Sequence, residues 1–303
     1  MNNLLIIDGF TIFGWPIKFY GILMSIAFII GVIYVAKMAP KKGFDGSIAF
    51  DLVLIAFPTA ILGARLNYVL FTLDRGWTFV SILQIWNGGL MIYGGVLFAA
   101  VAIAIYCKIK KYSILKVFDL IAPALILGQA IGRWGNFFNQ EAYGTLVTEN
   151  GLQWFPFSVW IDKSHFTEEA KTQLVGAYGT SMVDGAWFNA TFFYESFWCA
   201  CGFVLLHLLS KRTNKTGLIT ATYLAYYGFE RFFVEMIRTD SLYLGPIKIS
   251  VLISGIIFLV GASYLIYLLI KHKKSGLETE KTDKNTSKEK EVLRCRSHRE
   301  NHT

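Results

Sequence analysis

Seven stretches of this chain, near 18–37, 48–72, 87–108, 115–137, 188–210, 217–237 and 248–270, approach the length needed to cross a bilayer. That length is roughly 20 predominantly apolar residues for an α-helix. In hydrocarbon every backbone amide needs a partner within the protein, so only helices and closed barrels can span a membrane. A barrel would show weakly alternating segments of about ten residues. The long continuous runs, in a chain that is 54% hydrophobic and 17% charged, predict instead an all-α, polytopic integral membrane protein of about seven transmembrane helices.

The formal net charge is +8, and its placement matters more than its size. From Lys271 onward there are ten Lys/Arg and six Asp/Glu, and much of the rest sits in short connections. Lys37, Lys41 and Lys42 follow the first span, Lys108, Lys110 and Lys111 the third, and Lys211, Arg212 and Lys215 the fifth. Lys271, Lys273 and Lys274 follow the last. The alternate connections are poorer in positive charge. By the positive-inside rule the N-terminus is outside and the C-terminus cytoplasmic. A charge pattern that flanks spans fits membrane lipids as partners and argues against nucleic acid.

Residues 138–187, between spans four and five, are expected to form a small extracytoplasmic segment. Trp154, Phe155, Phe157 and Trp160 suit an interfacial position there. The domain reading is a transmembrane catalytic domain over 1–274, with that insert, and a disordered charged cytoplasmic tail over 275–303. MNNLLIIDGF has neither a basic n-region nor a small-residue cleavage site, so no cleavable signal peptide is expected. Cys107, Cys199, Cys201 and Cys295 show no metal spacing. Nothing in the sequence calls for a metal, a nucleotide or another cofactor.

Charged residues inside spans are costly and usually mark a cavity or a functional site. GQAIGRWGNFFNQEAYG (128–144) starts as membrane-grade helix and ends in Arg133, Asn136, Asn139, Gln140 and Glu141. If the helix continues, Arg133, Asn136 and Gln140 share a face. Gly132 and Gly135 would let a neighbouring backbone or a ligand approach. A guanidinium beside neutral amides is a receptor for phosphate, although a single interfacial arginine can also simply reach up to water. In YYGFERFFVEMIR (226–238), Tyr227, Arg231, Glu235 and Arg238 form one stripe. Two arginines against one carboxylate leave positive charge that an anion would complete, though the pair could also be a packing salt bridge. Arg65 and Tyr68 lie one turn apart in GARLNY, and Tyr20 sits at the outer end of span one. WNGGLMIYGG (86–95) sets Tyr93 between two Gly-Gly pairs, which serve close helix packing or close approach of a ligand. Tyr194-Glu195 adds another intramembrane carboxylate.

GRWGNFFNQEAYG resembles the signature of the bacterial phosphatidylglycerol–prolipoprotein diacylglyceryl transferases, G-R-x-G-N-F-x-N-x-E-x-x-G, at every fixed position from Gly132 to Gly144. The likeness extends to FYG near Tyr20, GARLNY, GGLMIYGG, YES at 194–196 and YGFERFFVEMIR. It implies transfer of the diacylglyceryl group of phosphatidylglycerol onto the lipobox cysteine of preprolipoprotein signal peptides, in the bacterial plasma membrane. It also implies catalytic roles for Arg133, Arg231 and Glu141, and Tyr93 joins them as a catalytic candidate from its own place between the glycine pairs. Tyr20, Arg65, Asn136, Asn139, Gly144, Tyr227, Glu235 and Arg238 are implied to bind substrate. Three positions depart from the family's habit. Tyr93 stands where histidine is frequent, Asn189-Ala190 where His-Pro is frequent, and Val251 where glutamine is common. The general base is therefore left open among Tyr93, Glu141 and Glu235, or local positive charge could favour the thiolate with no base at all. The rival readings are a non-catalytic relative that binds anionic lipid or signal peptide, and an anion or lipid transporter.

Overall fold

The computed structural model describes residues 8–239, 243–244, 247–271 and 273; the tail at 275–303 lies outside them. Its helices are α1 (Phe19–Met38), α2 (Ile48–Phe71), the short α3 (Phe79–Leu83), α4 (Ile92–Ile109) and α5 (Ile114–Asn139). They continue with α6 (Glu168–Tyr178), α7 (Thr191–Arg212), α8 (Leu218–Ile237) and α9 (Ile249–Lys271). Six of them, α1, α2, α4, α5, α7 and α9, are long and apolar enough to cross a membrane. The 20-residue α8 matches them in length but carries Glu230, Arg231 and Glu235. The chain is a multi-pass membrane protein, and its third long helix begins later than the sequence suggests. Gly88 and Gly89 adopt φ of 78° and 72°, so regular helix cannot start before Ile92.

Large apolar side chains on the outward faces are left exposed, as expected for a surface that meets lipid: Phe50, Leu54, Phe57, Leu62 and Leu70 on α2 are all more than half exposed. Inside the bundle α2 packs on α4, α1 on α5, and α5 on α7 and α8. The α2–α4 contact is backbone to backbone. A Cβ on Gly63 would lie 2.5 Å from the Gly94 carbonyl oxygen, and one on Gly94 2.3 Å from that of Gly63. The second Gly-Gly pair of WNGGLMIYGG therefore serves helix packing.

The all-α expectation describes the bundle, and the insert adds to it. β3 (Ser158–Asp162) pairs antiparallel with β4 (Gly185–Asn189) in the register Val159↔Phe188 and Ile161↔Ala186. Period-2 alternation in these strands puts those four side chains in one core with Ala170 and Leu174 of α6. Thr167 caps α6 by accepting from the Ala170 N–H, and Glu168 and Glu169 complement its dipole. Two smaller hairpins, β1–β2 (Gly9–Ile12, Trp15–Lys18) and β5–β6 (Tyr243–Leu244, Ile247–Lys248), stand before α1 and α9.

Candidate functional site

The polar interior is built where α5, α7 and α8 meet. Glu195, fully buried in the first turns of α7, is its centre. Its Oε2 lies 2.5 Å from Arg133 Nη2 of α5 and 2.8 Å from Arg231 Nη1 of α8. Arg231 turns its other nitrogen, Nη2, to Glu235 Oε2 at 2.5 Å. Arg238 Nη1, at the C-terminal edge of α8, lies 3.9 Å from Glu195 and 3.8 Å from Glu235. Three guanidinium groups thus share two buried carboxylates. Arginine carries five N–H donors, and Glu195 is the one ion-pair partner of Arg133 among the described residues. The expected stripe of Arg231, Glu235 and Arg238 is realised. What it answers to is Glu195, which the sequence shows only as one more intramembrane carboxylate. Its YES context is the signal, but no spacing on one helix can reveal a partner on another.

The glycines of the signature are occupied by α1. A Cβ on Gly135 would come within 2.5 Å of the Tyr20 ring, and one on Gly132 within 3.2 Å of Met24 Sδ. Tyr20 therefore lies across α5 at Gly135, with Met24 at Gly132. Trp134 Nε1 donates to Ser196 Oγ at 3.1 Å, which donates to the Ala130 carbonyl at 2.8 Å, fastening α5 to α7.

The helix does not carry Gln140 onto the face of Arg133. It stops at Asn139, where Gln140 takes φ 50° and the Glu141 N–H returns to the Asn136 carbonyl. Gln140 turns instead to the insert, its Oε1 accepting from the Asp162 N–H at 2.8 Å. Asn136 and Asn139 donate their amides to Glu141 Oε1, at 3.0 and 3.1 Å, on an exposed side chain. Tyr143 is buried, donating to the His165 carbonyl and accepting from the Thr167 N–H, both at 2.8 Å. Gly144 N–H donates to the Asn189 carbonyl, and a Cβ there would lie 2.8 Å from Asn189 Cβ. The second half of the signature is thus a docking loop between bundle and insert. The Asn189 departure has a place in it, because Asn189 Nδ2 donates to Thr145 Oγ1 at 2.8 Å.

The remaining expected site residues divide. Tyr227 stacks on Tyr223 with the rings 7° from parallel, one turn before Arg231. Tyr93 directs its hydroxyl to Ser250 Oγ of α9, at 3.2 Å, rather than to the arginines. Arg65 is buried and stands apart from the cluster. Its Nε donates to the Ile82 carbonyl, Nη1 to those of Gly88 and Gly89, and Nη2 to those of Ser81 and Gln84, at 2.6–3.4 Å. All five of its donors are engaged by backbone, and Trp77 covers the guanidinium at 4.9 Å. In this arrangement Arg65 staples the 81–89 segment and offers no donor to a phosphate.

The family model described as prolipoprotein diacylglyceryl transferase matches residues 9–267. A phosphatidylglycerol–prolipoprotein diacylglyceryl transferase 1 of Clostridium perfringens is 37% identical over 268 residues, covering 88% of this chain and 95% of the relative. A phosphatidylglycerol–prolipoprotein diacylglyceryl transferase of Clostridium botulinum (strain Langeland) is 37% identical over 267 residues, covering 88% and 98%. A protein of the same name from Listeria innocua is 35% identical over 260 residues, covering 84% and 87%.

Proposed function

Because the chain belongs to the prolipoprotein diacylglyceryl transferase family, we propose that it transfers the diacylglyceryl group of phosphatidylglycerol to a prolipoprotein. The acceptor is the thiol of the lipobox cysteine in the signal peptide, and the setting is the bacterial plasma membrane. α8 is read as the seventh span, with the N-terminus outside on the strength of the basic loops. The arginine cluster then lies toward the outer face, at the carboxyl ends of α5 and α8.

The carrying observation is the sharing of two carboxylates by three guanidiniums at the α5–α7–α8 junction. Phosphatidylglycerol is a phosphodiester monoanion, and its phosphate suits the guanidinium donors of Arg133 that Glu195 leaves open. The substrate thiol attacks the glycerol carbon bonded to the phosphate oxygen. A C–S bond forms, the C–O bond breaks with its electron pair going to oxygen, and glycerol phosphate leaves. Negative charge grows on the departing phosphate, and Arg133 and Arg231 are placed to stabilise it in a dry site. Tyr20 and Tyr227 flank the head group, and Arg238 and Glu235 hold Arg231 in position.

For the thiol proton, Glu141 is the favoured acceptor of the three candidates. Glu235 is fixed between Arg231 and Arg238, and the Tyr93 hydroxyl is turned to Ser250. Glu141 is exposed and held by two neutral amides, which orient a carboxylate and leave it a second oxygen. The test is a purified preparation given glycerol-labelled phosphatidylglycerol and a lipobox peptide. Glycerol phosphate should be released in step with thioether formation, and a Cys→Ser peptide should abolish both. Lipid movement across vesicles with no thioether would favour a transporter. Lipid or peptide binding without turnover would favour a non-catalytic relative.

A further inference from the structure

The other end of the same helices carries a second charged site of different make. Asp119 precedes Arg133 by fourteen residues on α5, which at 1.5 Å per residue separates the two by about 21 Å. A cavity of about 330 Å³ opens there between the α1–α2 connection, the first turns of α5 and the α7–α8 connection. Lys41, Lys42, Lys116 and Lys215 line it, with Asp119 as the one carboxylate among the described residues of its wall. A second cavity, of about 620 Å³, shares Thr213–Thr216 with the first and adds Arg212 and Lys271, against Leu268 of α9. Together they form one basic groove wrapped around the 213–216 loop.

Among the described residues of this groove, only Asp119 and Lys42 offset one another. Asp119 is buried and committed to the start of α8, accepting from the Gly217 N–H at 2.5 Å, the Thr220 N–H at 2.8 Å and Thr220 Oγ1 at 2.7 Å. Lys42 is likewise fixed, donating to the Ser210 and Thr213 carbonyls and to Asn214 Oδ1. Lys41, Lys116 and Lys215 are exposed and have no ion-pair partner among the described residues. A bias that only orients the chain needs basic loops on one side. It does not need lysines from three separate elements to line one cavity whose carboxylate is already engaged.

We propose that this groove binds the phosphate of an anionic phospholipid headgroup, at the end of the bundle opposite the Arg133–Glu195 cluster. The groove lies where α5, α7 and α8 give way to their connections, and helices of spanning length end near the level of the headgroups. Its wall at Leu268 belongs to a helix apolar enough to span the membrane. Lysines present point charges suited to a mobile headgroup, whereas the arginine cluster presents fixed forks. The ligand is a retained lipid that undergoes no reaction.

The test is native mass spectrometry of the full chain released from nanodiscs of phosphatidylcholine containing phosphatidylserine. The triple variant Lys41→Gln/Lys116→Gln/Lys215→Gln is compared with Lys108→Gln/Lys110→Gln/Lys111→Gln, which removes equal charge outside the groove. The groove variant should lose retained phosphatidylserine by about tenfold or more, and the control should hold it within about twofold. The groove variant should also transfer diacylglyceryl at the parent rate from detergent-dispersed substrates, which separates this site from the catalytic reading. Equal retention by the parent and the groove variant, or equal loss in both variants, would overturn the proposal. In a further arm, inorganic phosphate that displaces the lipid at low millimolar concentration would make the ligand a soluble anion and overturn the lipid assignment.

Discussion

Arg65 and Arg133 lie in spans of similar hydropathy, and each is followed at i+3 by a polar side chain, Tyr68 in one case and Asn136 in the other. Their surroundings separate them. The corner around Arg65, made by α2, α3 and the 84–89 turn, engages every guanidinium donor with a carbonyl oxygen, five in all, beneath the Trp77 ring. The junction around Arg133 presents a carboxylate that is shared with Arg231 and lies near Arg238. Carbonyls carry no net charge to compete with a phosphate, but they fill every donor. Carboxylates hold an arginine through one or two nitrogens and leave others pointing into the site. The difference teaches that a buried arginine is available to a substrate only if its protein partners leave donors unfilled.

Alanine substitutions separate the two arginines most clearly. Arg231→Ala should lower diacylglyceryl transfer by about 100-fold or more, because the departing phosphate loses a preorganised cation. Arg65→Ala should leave five carbonyls without their donor and act first on stability. It should lower the midpoint of thermal unfolding in detergent by several degrees or more, with the surviving folded fraction still active. Folded Arg65→Ala protein with a defect as deep as that of Arg231→Ala would erase the distinction. Glu141→Gln preserves the shape that Asn136 and Asn139 grip while removing basicity, and should slow transfer by about 10- to 100-fold. Tyr93→Phe should cost no more than a few-fold, since its hydroxyl meets Ser250. A large loss there would return the proton acceptor to Tyr93.

Much of this is legible in the sequence, for physical reasons. Apolar runs mark the long helices, six of which are apolar enough to span, with the third starting at Ile92 rather than near 87; the stripe at 231, 235 and 238 follows from one helical period. The role of Glu195 is not legible, because its partners lie on α5 and α8 and periodicity within α7 says nothing about them. The end of α5 departs from expectation for a related reason. Gln140 takes a left-handed backbone conformation to reach the Asp162 N–H, a contact made 22 residues away that overrides helix continuation. Arg65 shows the reverse case. An intramembrane arginine reads as a site until the turn that satisfies it, residues 81–89, is folded beside it.

Receipt of the lipid phosphate by the arginines gathered on Glu195 is the step on which the proposed chemistry depends. It is tested most directly by single-turnover release of glycerol phosphate from labelled phosphatidylglycerol and a lipobox peptide by Arg133→Ala, with unfolding measured on the same preparation. The expected result is a protein that still folds, its midpoint lowered by loss of one guanidinium from the buried cluster, and releases glycerol phosphate at about a hundredth of the parent rate or less. Release within a few-fold of the parent by folded Arg133→Ala would contradict it.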